Sequence, residues 1–211
     1  YEGLEESQHV IYTGATPNQL GLPAVRWCME ALSVKDFFLI GTDALRARAF
    51  STIIKDGIEK LGGELVGSHY SLVGELDFAA VVKQIEKSGA QVILNMLVGD
   101  SAVAFFRALV VANITPRSLP VMSFTMSENE LAQLSGLSLS GNYVARSRFP
   151  LLDPASEDTF SSSFQQKYGP HRPVSDIMES SYYGVHLWAA AVERAGTLET
   201  SAVRQALKQQ E

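Results

Sequence analysis

Residues 36–63 read DFFLIGTDALRARAFSTIIKDGIEKLGG, and the order of patterns within them decides the fold. Residues 36–41 are apolar on both alternating faces, as a strand covered on two sides must be. Residues 45–61 then carry Phe50, Ile53, Ile54 and Ile58 on one helical stripe, stopped by Gly62-Gly63. A buried strand followed by an amphipathic helix is the repeating step of a parallel sheet. The step recurs outward. Residues 64–70 form a second strand, and Asp77 begins a helix with Phe78, Val81, Val82 and Ile85 at i, i+3, i+4, i+7 spacing. Residues 91–97 form a third strand, followed by a helix over 101–113 bearing Phe105, Phe106 and Leu109. Residues 120–124 form a fourth, after which Ser127-x-x-Glu130 reads as a capping box. Toward the N-terminus, a short apolar run at 10–13 precedes a helix opened by Pro17-Asn18-Gln19, with Leu22, Val25, Trp27, Met29 and Leu32 on its apolar side. An α/β, doubly wound, Rossmann-like parallel sheet is predicted over residues 15–145.

Beyond it the pattern changes. Residues 142–146 are a last strand-like run. Asp153-Pro154 caps a helix reaching about Tyr168, and Gly169-Pro170 ends it. A helix over 178–195, closed by Gly196, is expected to turn Tyr182, Val185, Leu187 or Trp188, and Val192 inward, and Val203 with Leu207 suggest a short final helix.

Composition narrows the function. The 211 residues are 46% hydrophobic and 19% charged, an ordinary globular balance, and no apolar stretch approaches the ~18 residues of a membrane helix. The net charge of −6 disfavours nucleic acid or an anionic membrane surface as partner. The single cysteine, Cys28, excludes an internal disulfide and reads as a small core residue. No signal-like segment follows Tyr1, so a targeting segment is expected to lie outside these residues. The chain carries no G-x-G-x-x-G, Walker loop, G-x-S-x-G or H-E-x-x-H. His9, His69, His171 and His186 are scattered without ligand spacing, and Asn113-Ile114-Thr115 matches a glycosylation triplet only at chance level.

Ligands of open parallel sheets bind beyond the carboxyl ends of the strands. Three junctions qualify: Gly41-Thr42-Asp43-Ala44, Val98-Gly99-Asp100-Ser101, and Ser123-Phe124-Thr125-Met126-Ser127. They are expected to open on one edge and to converge. With Asp43 and Asp100 already at two of these mouths, N–H donors or cations are favoured over anions. The plainer reading makes Asp43, Asp100 and Ser127 helix N-caps. As a metal pair Asp43 and Asp100 lack a third ligand, so no metal or cofactor is expected.

Certain stretches are distinctive. Tyr1-Glu2-Gly3-Leu4-Glu5, then Val10-Ile11-Tyr12-Thr13-Gly14-Ala15-Thr16-Pro17-Asn18-Gln19, resembles the solute-binding proteins of urea and short-chain amide ABC transporters and the related amide sensor of aliphatic amidase expression. The likeness continues through Gly41-Thr42-Asp43, Asp77-Phe78, Val92-Ile93-Leu94-Asn95, Gly99-Asp100-Ser101-x-Val103-Ala104-Phe105-Phe106, Pro120-Val121-x-Ser123-Phe124, and Met178-Glu179-x-x-Tyr182-x-Gly184-Val185-x-Leu187-Trp188. The resemblance implies a type I periplasmic-binding fold with two Rossmann-like lobes, a hinge and a ligand in the cleft. Residues 15–145 would be lobe 2, and residues 1–14 with 146–211 an incomplete lobe 1 whose apolar helix 178–195 is left open. It also implies a non-enzymatic role: binding a small polar solute (amide, urea or amino acid-like) for an ABC permease in the periplasm, with closure shifted by ligand. The alternative is a ligand-sensing module joined to a signalling domain. A hydrolase or transferase is disfavoured, because no nucleophile–base pair is visible.

The ligand-binding residues expected on this basis are Tyr1, Asp43, Ala44, Arg46, Val98, Gly99, Asp100 and Thr125, with Asp43, Ala44, Val98, Gly99, Asp100 and Thr125 on one rim of a single cleft facing residues near Tyr1 and Tyr12. Val98 and Thr125 match positions lining the sensor's amide pocket. The family reads GSDY-x-[YF]-PR where this chain has Gly41-Thr42-Asp43-Ala44-Leu45-Arg46-Ala47-Arg48. Both lid aromatics are gone. Weak binding of urea and acetamide follows, and Arg46 suggests a solute with a carboxylate.

Overall fold

The computed structural model describes residues 7, 9–149 and 159–209. Two compact units emerge: Thr16–Arg146, and Gly3–Ala15 together with Ser147–Glu211.

The larger unit is built on five parallel strands, β1 (Asp36–Thr42), β2 (Glu64–Ser71), β3 (Val92–Met96), β4 (Val121–Ser123) and β5 (Tyr143–Val144), in the spatial order β2-β1-β3-β4-β5. Helices α1 (Pro17–Ala31) and α2 (Leu45–Lys60) cover one face, where Val25, Cys28, Phe50, Ile54 and Ile58 pack on Phe37 and Leu39. Helices α3 (Ala79–Ser88), α4 (Gly99–Val111) and α5 (Glu128–Gln133) serve the other, where Phe78, Val82, Ile85, Phe105 and Leu109 pack on Phe38, Ile40 and Ile93. Phe37 and Phe38 thus point to opposite cores, as pleat alternation requires of a strand buried on both faces. The doubly wound α/β reading holds.

Details differ at the helix starts. Helix α3 begins at Ala79, not Asp77, because the Asp77 carboxylate accepts the Ala79 N–H at 3.0 Å and acts from outside the helix. Helix α4 begins at Gly99, two residues before the expected Ser101. Trp27 is half-exposed and meets the Tyr143 ring edge-on at 4.8 Å. The capping box at Ser127 and Glu130 forms as read.

Cys28 is fully buried on α1, and burial pushes its thiol up to about 12. Native protein at pH 8 is therefore expected to resist iodoacetamide, with labelling appearing only as the chain unfolds. Labelling of native protein as fast as a free cysteine would contradict this packing.

The smaller unit holds α6 (Thr159–Tyr168), α7 (Asp176–Ala195) and α8 (Thr200–Leu207), and no strand among its described residues. Residues 10–13 are irregular and exposed; no described residue of this unit offers them a ladder, and an unpaired strand leaves its backbone groups to water. Asp153-Pro154, the expected start of α6, lies outside the described residues. Helix α7 buries only Asp176 and Ala191; Ala191 packs on Val203 and Ala206 of α8. Tyr182, Val185, Leu187 and Trp188 are exposed rather than inward, Val185 at 66%. The periodicity correctly gave an amphipathic helix, and within this unit its stripe is only partly covered, with the Phe160 ring stacked on Tyr182 at 4.3 Å and Thr13 lying against Gly184.

Candidate functional site

The strand order sets the site. β1, β3 and β4 are adjacent and parallel, so the loops after them leave the same edge of the sheet. The helix after β1 lies on one face and the helix after β3 on the other. The crevice between two such strands is where open α/β sheets take ligands.

Hydrogen bonds join the three loops. Val98 N–H donates to Thr42 Oγ1 at 3.2 Å, linking the β3 loop to the end of β1. Thr125 Oγ1 donates to the Leu97 carbonyl, linking the β4 loop to the β3 loop. Beneath them Asn95, buried in β3, donates to Ser123 Oγ at 3.1 Å and accepts from Leu97 N–H at 3.0 Å. Polar side chains inside a covered sheet must be satisfied, and here that satisfaction fixes the rim.

Val98 is the N-cap of α4, exposed, with no side-chain cap. Gly99 has φ +58°, a conformation that disfavours a side chain, and a Cβ there would meet nothing within 4 Å, so the space before α4 is open. Ala44 is the N-cap of α2, exposed and also uncapped by any side chain. Two helix starts therefore present uncapped N–H groups on the same sheet edge.

The capping reading of Asp43 and Asp100 is corrected by this geometry; only Ser127 caps, accepting from Asn129 N–H at 3.3 Å. Asp43 instead accepts from Arg48 Nε at 2.7 Å. That hydrogen bond holds its carboxyl below the usual range, and the pair stays charged through neutral pH. Arg48 also lies over the Tyr70 ring at 4.4 Å. Asp100 is the second residue of α4 and lines a groove of about 890 Å³ between α3 and α4, with Leu76, Lys83 and Arg107. That groove also holds Asp77 and Glu86 beside its two cations, whereas the charge of Asp43 is offset by Arg48. The sequence-based preference for donors over anions therefore loses its basis at the start of α2.

Arg46 is half-buried in the first turn of α2 and makes no ion pair with a described residue. Thr125 is half-buried with its hydroxyl proton committed to Leu97. Tyr1 lies outside the described residues, and Tyr12, exposed, belongs to the smaller unit. The structure thus brings together Ala44, Val98, Gly99 and Thr125 through Thr42 and Leu97, and turns Asp100 onto the α3–α4 groove. Sequence reasoning missed Arg48 and Tyr70. The parallel register that sets Tyr70 beside Gly41 is the signal that finds them.

Among the described residues no group of three or more His, Cys, Asp or Glu could hold a metal ion, and no helix is long and apolar enough to cross a membrane.

Solved structures share this architecture. A solute-binding protein of an R. palustris ABC transporter, in complex with benzoate, superposes with a TM-score of 0.80 at 16% identity, over 95% of this chain and 55% of that one. A leucine-binding protein from Thermotoga maritima MSB8 gives 0.79 at 16% identity, over 97% and 58%. A branched-chain amino acid ABC transporter periplasmic ligand-binding protein from Burkholderia xenovorans LB400 gives 0.69 at 18% identity, over 97% and 56%. The chain spans a little over half the length of each. At these identities the likeness establishes the α/β periplasmic-binding fold. The family described as periplasmic binding protein domain matches residues 1–211, and the chain belongs to that family.

Proposed function

We propose that the chain is part of a solute-binding protein serving an ABC permease in the periplasm, and that its larger unit holds a small solute bearing a carboxylate. One observation carries the reading. The β1, β3 and β4 loops form a hydrogen-bonded rim with two uncapped helix starts, flanked by Arg46 and Arg48, and one of its two carboxylates, Asp43, is already paired. Uncapped N–H groups beside arginine favour anions. Benzoate and leucine, named for two of the structural neighbours, both carry a carboxylate. Residues 15–145 then act as lobe 2, and 1–14 with 146–211 as part of lobe 1. Asp43, Ala44, Arg46, Val98, Gly99 and Thr125 belong to the solute rim, and Asp100 sits at its margin.

Urea and acetamide fit this rim poorly. Ala44 and Arg46 stand where the amide-binding relatives have rings, and each missing ring forfeits about 0.5–1.5 kcal/mol beyond its area. Two such losses weaken binding by about tenfold or more. Calorimetric titration with urea, acetamide, benzoate and L-leucine tests this: a carboxylate is expected to bind and the two amides weakly or not at all. Tight urea binding with no carboxylate binding would overturn it.

A further inference from the structure

We infer that Arg48 is the residue that takes the solute's carboxylate, that the Tyr70 ring is its platform, and that Asp43 is a positioning residue rather than a ligand contact. The inference rests on the carboxylate reading above and assigns the group that carries it.

The arrangement is built from three elements. The β1–β2 register sets Tyr70 beside Gly41. The Asp43 N–H donates to the Ser71 carbonyl at 2.7 Å, so the loop after β1 is tied to the end of β2. Arg48, in the first turn of α2, reaches back to both: its Nε donates to Asp43 Oδ1 at 2.7 Å and its Cζ stands 4.4 Å from the Tyr70 centroid. Which nitrogen Asp43 takes is the decisive detail. A guanidinium offers five N–H donors in one plane, and a bidentate carboxylate needs two parallel ones. Asp43 engages Nε and leaves Nη2 and the outer Nη1 donor without a described partner, on a side chain that is 55% exposed.

Immobilising a long side chain usually opposes binding. Here Asp43 and the ring have already fixed the guanidinium, by a charge-assisted hydrogen bond and a cation–π contact. Arg46 has neither. A lysine at position 48 would keep the charge but lose the fork. The Asp43 carboxylate, which in the sequence looked like a deterrent to anions, becomes the group that aims one cation at them.

The test compares pairs that differ only in the charged group: benzoate with benzamide, and L-leucine with L-leucinamide, titrated calorimetrically into the protein and its variants. Wild type is expected to favour one acid over its amide by about tenfold or more. Arg48→Gln is expected to abolish that preference while leaving amide binding within about twofold, and Arg48→Lys to restore only part of it. Asp43→Asn is expected to lower the preference several-fold, and Arg46→Gln to lower it by less than Arg48→Gln does. Thermal unfolding of each variant separates lost folding from lost selectivity, and a merely structural Asp43 would not move the acid-to-amide ratio. If wild type favours an acid and Arg48→Gln keeps that preference, or Arg46→Gln removes it, the assignment to Arg48 is overturned and the carboxylate reading stands. If wild type shows no preference for either acid, both fall together.

Discussion

Truncating Phe38 to alanine is expected to destabilise the larger unit by about 3–5 kcal/mol, the range for a buried aromatic cut back to a methyl. Phe38 is 0% exposed, on a strand flanked by β2 and β3, and belongs to the core that α3 and α4 cover. Its space is defined by a register shift. Phe37 faces Leu65, but Phe38 faces Gly67, so Val66 is passed over. A Cβ on Gly67 would come within 2.5 Å of Phe38 Cε2. The ring occupies the place that the missing side chain vacates, and the two positions form one packing decision. Gly67→Ala alone is therefore expected to destabilise too, whereas Phe38→Leu with Gly67→Ala should cost less than the sum of the two, because the smaller side chain clears the added methyl. Urea unfolding of wild type, Phe38→Ala, Phe38→Leu, Gly67→Ala and the double variant checks this. A cost below about 1 kcal/mol for Phe38→Ala, or strict additivity in the pair, would contradict the packing described.

That pairing shows why parts of the fold were legible in the sequence and others were not. The stripe Phe78, Val81, Val82, Ile85 declares a helix and its buried face at once, because period and burial are both local. The two-sided burial of residues 37–40 is legible because an unbroken apolar run has no solvent face. The Val66 bulge is not legible; it depends on which residue of β2 meets which of β1. The Asp43–Arg48–Tyr70 cluster has the same cause. Asp43 and Arg48 stand in one short stretch, residues 41–48, but Tyr70 joins them only through the parallel register. The N-cap readings of Asp43 and Asp100 failed for a different reason. Residue type makes aspartate eligible to cap, while the backbone decides which residue stands at the boundary, and here Ala44 and Val98 do. Helix α7 inverts the lesson of α3: a clear apolar stripe fixes the helix, but the surface that covers it is not a property of the stripe.

Arg146 offers the other large effect, at the point where the chain leaves the larger unit. It follows β5, whose neighbour Ala145 donates its N–H to the Ser123 carbonyl at 2.9 Å. Its guanidinium Nη1 meets Glu128 Oε2 at 2.9 Å, with side-chain exposures of 4% and 13%. Glu128 opens α5, where a carboxylate also suits the positive end of the helix. Exposed pairs contribute little, but removing one partner of a buried pair strands the other charge, at about 3–5 kcal/mol. Arg146→Met is expected to fall in that range by urea unfolding. The double variant Arg146→Met with Glu128→Gln should recover part of the loss, since Glu128 no longer carries the charge that Arg146 met. One residue beyond, the smaller unit repeats the device: Ser147 Oγ donates to Asp176 Oδ2 at 3.3 Å, and Arg148 pairs with Glu179 of α7. Each unit thus ties down its own side of the crossing at 146–148. Arg148→Met is accordingly expected to lower the stability of the smaller unit and leave the unfolding of the larger one unchanged. If Arg146→Met costs less than about 1 kcal/mol, or the double variant is no better than the single, the pair is not the anchor that its burial makes it.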